Sequence, residues 1–114
     1  MSTAQRGNSR RSKTHKPKLR RKNPGSKKWV ISPLNDVEPG DKIEWKATGT
    51  DIVIWFPPGN DPLKINERKV SKGKTFTKKV PPGLRKRGIF PYSVFCYETG
   101  ELAESNSPPF IRIK

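Results

Sequence analysis

Proline and glycine punctuate this chain so densely that no long helix fits between them. The 114 residues include 12 Pro and 9 Gly, and each of these interrupts or weakens a helix. No apolar stretch approaches the ~20 residues that a membrane-spanning helix needs. The segments left between the breaks are short and alternate in polarity. Lys42-Ile43-Glu44-Trp45-Lys46-Ala47 puts Ile43, Trp45 and Ala47 on one face and Lys42, Glu44 and Lys46 on the other. That period of two is a strand with one buried face. Pro39-Gly40-Asp41, just before it, reads as a turn.

Other segments carry the same signal. Trp29-Val30-Ile31-Ser32 reads as a first strand, ended or bulged at Pro33. Asp51 to Phe56 is β-branched and nearly all apolar, a central strand stopped by Pro57-Pro58-Gly59-Asn60. Lys74 to Val80 is a Thr-rich strand closed by Pro81-Pro82-Gly83. Ile89 to Tyr97 places Phe90, Tyr92, Val94 and Cys96 on one face, and Phe110 to Ile113 turns Ile111 and Ile113 inward. Asn60 to Gly73 shows no clear period; Leu63, Ile65 and Val70 there are expected to cover one end of the core. About seven short strands between Pro/Gly turns predict an all-β fold, a β-sandwich over residues 29–114. All ten aromatic residues lie in that part.

Residues 1–28 are different. They hold eleven basic side chains (Arg6, Arg10, Arg11, Lys13, Lys16, Lys18, Arg20, Arg21, Lys22, Lys27 and Lys28) and no acidic one. Of the formal net charge of +15, eleven units therefore fall on the first quarter of the chain. Apart from Met1, Ala4 and Leu19 it has no apolar side chain to bury. It cannot offset the roughly 1–2 kcal/mol per residue that ordering the backbone costs, so a disordered basic arm is expected. It has no apolar stretch of secretory type and no hydrophobic segment behind Arg10-Arg11. Pro17 and Pro24 deny it an amphipathic helix. A cytoplasmic protein with no membrane association is the expectation.

Three pieces of the domain resemble the cupredoxins, the blue-copper β-sandwiches. Val37-Glu38-Pro39-Gly40-Asp41-Lys42-Ile43-Glu44-Trp45 is similar to that family's entry into an inner strand. Gly88-x-Phe90-x-Tyr92-x-Val94-x-Cys96 resembles the strand that delivers the copper-binding Cys. Gly100, followed by Pro109-Phe110-Ile111-Arg112-Ile113, resembles the ligand loop and last strand. The resemblance implies a cupredoxin-like, antiparallel or mixed Greek-key β-sandwich without the copper. A type-1 site needs two imidazoles and a thiolate, yet residues 29–114 contain no His and no Met. Thr50 or Asp51 stands where the first imidazole would be, and Glu98, Thr99 and Glu101 stand around the second.

Cys96, Glu98 and Asp51 come nearest to a metal-ligand set. Cys96 shares a strand face with Phe90, Tyr92 and Val94, which favours a packed, inert thiol. Glu98, Glu101 and Glu104 read as a solvated acidic loop. No Ser-His-Asp, HExxH or phosphate-loop pattern occurs, so no catalytic residue and no cofactor are expected.

The arm carries the functional signal. Arg forks and Lys point charges suit phosphate, and Arg85-Lys86-Arg87 adds a second basic cluster in the domain. The expected function is a non-enzymatic binding protein anchored to a polyanion, nucleic acid first, through the arm and residues 85–87. The arm has no aromatic residue, so it gives no sequence readout. Trp29, Trp55 or Tyr97 would stack a base only if exposed. The alternatives are a protein-interaction module with a solubilising tail, and a metal carrier or cation-dependent enzyme.

Overall fold

A computed structural model describes residues 12–104 and 109–114. Among them are twelve short strands and no helix. They are β1 (Thr14–His15), β2 (Leu19–Arg21), β3 (Trp29–Ile31), β4 (Leu34–Val37), β5 (Lys42–Lys46) and β6 (Ile52–Trp55). The rest are β7 (Glu67–Val70), β8 (Thr75–Lys79), β9 (Gly88–Pro91), β10 (Ser93–Cys96), β11 (Glu101–Leu102) and β12 (Phe110–Ile113).

Two layers form because several strands lie on shared runs of chain. β1 and β2 belong to one run broken at Pro17, which has no N–H for the ladder. β1 pairs in parallel with β5, β2 pairs antiparallel with β3, and β5 pairs antiparallel with β8. Layer A is therefore β3, the β1–β2 run, β5 and β8. β9 and β10 likewise form one run. One edge of it pairs with β6, which pairs with β7, and the other edge pairs with β11 and β12. β12 continues in parallel to β4, completing layer B.

The inward faces meet in one core. Ile43, Trp45 and Ala47 are buried from layer A, and Phe90, Tyr92, Val94 and Cys96 from layer B, as the alternation requires. Trp45 Nε1 donates to Tyr92 Oη at 3.2 Å, and Phe56 stacks on the Tyr92 ring with centroids 5.0 Å apart. Large aromatics of this kind remove about 150–250 Å² each from water, roughly 4–6 kcal/mol of transfer free energy before ordering costs. Burial raises the Tyr92 phenol far above its ordinary value, and the Trp45 hydrogen bond offsets only part of that rise.

The expected all-β sandwich is observed; the boundary at residue 28 is not. Residues 12–28 were expected to be disordered, yet they supply an interior strand run of layer A, with Pro17 and Leu19 buried. Their order comes from partners distant in sequence. Asp41, fully buried, accepts the Lys13 amide at 3.1 Å and contacts His15 Nε2 at 2.8 Å. Leu19 packs opposite Ile31. Residues 1–11, the remainder of the expected arm, lie outside the described residues. The Asn60–Gly73 stretch contains β7, and Leu63 and Val70 there are buried as expected. Asp61 organises the loop before β7 by accepting the Ile65 and Asn66 amides at 3.1 and 2.6 Å.

Candidate polyanion interface

Strand alternation decides which cations of residues 12–28 reach solvent. With Pro17 and Leu19 turned into the core, Lys16, Lys18 and Arg20 project from the outer face of layer A. Beside them on β5, Lys42 and Lys46 are exposed and flank Glu44, while Lys79 lies directly opposite Lys42 from β8. Thr75 and Thr77 occupy the remaining exposed positions of β8.

Four of the basic residues from 12–28 pair with carboxylates. Lys16 Nζ lies 3.8 Å from Glu44, Arg21 2.7 Å from Glu98, and Lys22 and Lys28 each 3.2 Å from Glu104. All four pairs are solvent-accessible, so each contributes little alone. The last three together tie residues 21–28 to the segment after β10. Lys22 and Lys28 hold the Glu104 carboxyl below its usual range, and Glu104 in turn raises the Lys28 amine. The Arg21 guanidinium also covers the Trp29 ring at 4.7 Å, and Trp29 Nε1 donates to Glu98 Oε1 at 3.0 Å. The acidic residues 98–104 read as a solvated loop, and Glu98 and Glu104 do keep about two-fifths of their side chains exposed while pairing with the basic segment.

The other four, Lys13, Lys18, Arg20 and Lys27, form no ion pair among the described residues. Arg20 donates only to the carbonyls of Arg21 and Lys22, at 3.1 and 3.4 Å. Arg85, Lys86 and Arg87 lie exposed between β8 and β9. Lys86 Nζ donates to the Gly59 carbonyl at 3.5 Å, and Arg87 donates to the Leu84 carbonyl. Arg6, Arg10 and Arg11 lie outside the described residues.

The nearest metal candidates are each engaged elsewhere. Cys96 is fully buried, and burial together with the nearby Glu98 carboxylate pushes its thiol from 9.0 up to about 11. Asp51 accepts the Lys72 amide at 2.6 Å, while Glu98 is held by Trp29 and Arg21. Among the described residues no group of three or more His, Cys, Asp or Glu converges.

Layer B presents a contrasting outer surface. Trp55, Tyr97 and Leu102 are 39%, 51% and 56% exposed, next to Phe95, and the Lys69 amine sits 5.1 Å above the Tyr97 ring. Trp29 is buried, so of the three aromatics named as conditional stacking platforms only Trp55 and Tyr97 are accessible. Lys42 and Lys46 were not among the expected site residues. Their alternation was visible; that a basic strand run lies alongside them was not. Among the described residues no helix is long and apolar enough to cross a membrane.

No family model and no curated protein matches the chain. Among the solved structures similar to it are two copper proteins. One is a methionine-to-alanine mutant of amicyanin with Cu(I), at 13% identity and a TM-score of 0.48, covering 90% of this chain and 82% of that one. The other is a multicopper oxidase from Campylobacter jejuni, at 17% identity and a TM-score of 0.42, covering 89% of this chain and 25% of that one.

Proposed function

We propose that this protein is a non-enzymatic polyanion-binding protein whose ligand is nucleic acid. The observation that carries the reading is the surplus of cations over their local carboxylates. Lys13, Lys18, Arg20 and Lys27 from the N-terminal segment, and Arg85, Lys86 and Arg87 from the β8–β9 loop, face solvent with no ion pair among the described residues. Binding is by phosphate contact and counterion release. A cytoplasmic setting belongs to this reading, since nucleic acid is at hand there and a free thiol such as Cys96 stays reduced. About six phosphate contacts give a roughly thousandfold loss of affinity between about 50 and 200 mM salt. Fluorescence anisotropy of the full chain with RNA, duplex DNA and heparin across that range tests it. Affinity that ignores salt, or is absent for all three, refutes it.

A second reading, a protein-interaction module, is supported by the exposed Trp55, Tyr97 and Leu102 surface. Co-purification before and after nuclease separates the two. A partner that persists after nuclease and is lost in Trp55→Ala favours the second.

A further inference from the structure

The basic segment does not stand alone on layer A, because the body of the sandwich extends its charge. We propose that Lys16, Lys18, Arg20, Lys42, Lys46 and Lys79 form one flat site for the phosphodiester backbone of nucleic acid, bound without reading base identity. The proposal deepens the polyanion reading and rests on it. It adds Lys42 and Lys46 from β5, which no local run of charge marks out, and Lys79 from β8.

Strand geometry sets the spacing. Side chains two apart on one strand are about 6.6–6.8 Å apart, and neighbouring strands are about 4.8 Å apart. Because Thr14 is in register with Lys42, Arg20 lies six residues along the strand direction from Lys42, and the cations occupy an area roughly 20 Å long and three strands wide. Duplex DNA carries one negative charge per about 1.7 Å of axis, so that length offers roughly twelve phosphates to choose from. Glu44 is the one carboxylate among these side chains, and its 3.8 Å contact with Lys16 is exposed and weak.

Two observations favour an anionic backbone over other occupants. Lys42 and Lys79 are registered directly across from each other on the exposed face, an arrangement of like charges that destabilises a bare sheet. A phosphate between them turns that repulsion into attraction. The face also carries no aromatic ring, since Trp45 and Phe76 stack inward from β5 and β8 with centroids 6.0 Å apart. Without a stacking platform the site holds backbone but reads no base, and the Thr75 and Thr77 hydroxyls can donate to phosphate oxygens. Trp55 and Tyr97 are on the opposite layer, away from a ligand seated here.

The test compares the full chain with Lys42→Ala/Lys46→Ala/Lys79→Ala and with Lys18→Ala/Arg20→Ala. Each is titrated against two duplex DNAs of unrelated sequence, an RNA hairpin and heparin across salt. The triple variant is expected to melt no lower than the parent, because a like-charge pair has gone. It should bind both DNAs more weakly by the same factor, with a salt slope shallower by about two to three. Parental affinity and slope in the triple variant, with binding lost in the double variant, would overturn the face while leaving the polyanion reading intact. Failure of the parent to bind any polyanion would remove the reading itself. Capture of heparin but neither nucleic acid would overturn the proposal by assigning the face to another polyanion.

Discussion

His15 Nε2 lies 2.8 Å from Asp41 Oδ2, and the carboxylate it meets is completely buried at the turn entering β5. The same carboxylate accepts the Lys13 amide at 3.1 Å and the Glu38 amide at 3.0 Å. The single histidine of the chain thereby fixes a segment that composition alone marks as unstructured. His15→Ala takes one partner from a buried charge, which costs about 1–3 kcal/mol. Urea unfolding should show a lower midpoint with an unchanged slope, and amide exchange should quicken first near Thr14.

Gly49 faces the Trp29 indole. Its φ is 77°, and a Cβ built there would lie 2.8 Å from the ring. Gly49→Ala therefore combines a strained backbone with displacement of a ring that also receives Arg21 and bonds Glu98. A loss of roughly 1–3 kcal/mol is expected in thermal melting. An unchanged melting temperature would mean that Trp29 is not held against this turn.

The buried thiol makes a prediction in alkali. Cys96 titrates at about 11 when folded and near 9.0 at its ordinary value. Below pH 9 its contribution to stability is complete. As pH rises from there through 11, the unfolded thiol ionises first and the contribution is lost. At pH 8 alkylation of the native protein should be slower than that of the unfolded chain by about a hundredfold or more. Fast labelling of the native protein would contradict the packing found here.

Acid works on a different joint. Lys22 and Lys28 lower the Glu104 carboxyl, so their mutual support is present above the usual carboxylate range. It disappears as pH falls through the lowered value. Protection factors at Lys22 and Lys28, whose backbones pair at 2.9 Å, should drop in acid before those of Ile54 or Val94. Glu104→Gln should remove the difference.

The sandwich was legible wherever polarity alternated. Lys42 to Ala47 and the Phe90, Tyr92, Val94, Cys96 face stand as read, because each is settled by local period. Leu34–Val37 was hidden by Pro33, Asn35 and Asp36, and its reason to be a strand is parallel pairing with the end of the chain. Glu67–Val70 was hidden by its charges, which suit an edge strand. The ordering of residues 12–28 had no local signal at all. It depends on Asp41, Ile31, Glu98 and Glu104, none of them a neighbour in sequence. The site was legible in the same proportion: its charge was plain, but the face that collects it needed the strand run between β3 and β5.

The most direct measurement is the dependence of affinity for duplex DNA on salt. The parent is compared with a variant carrying Ala at Lys13, Lys18, Arg20, Lys27, Arg85, Lys86 and Arg87. A steep parental slope of about −5 is expected, becoming shallower by at least about three in the variant at equal thermal stability. Superimposable lines for the two proteins would contradict the polyanion reading.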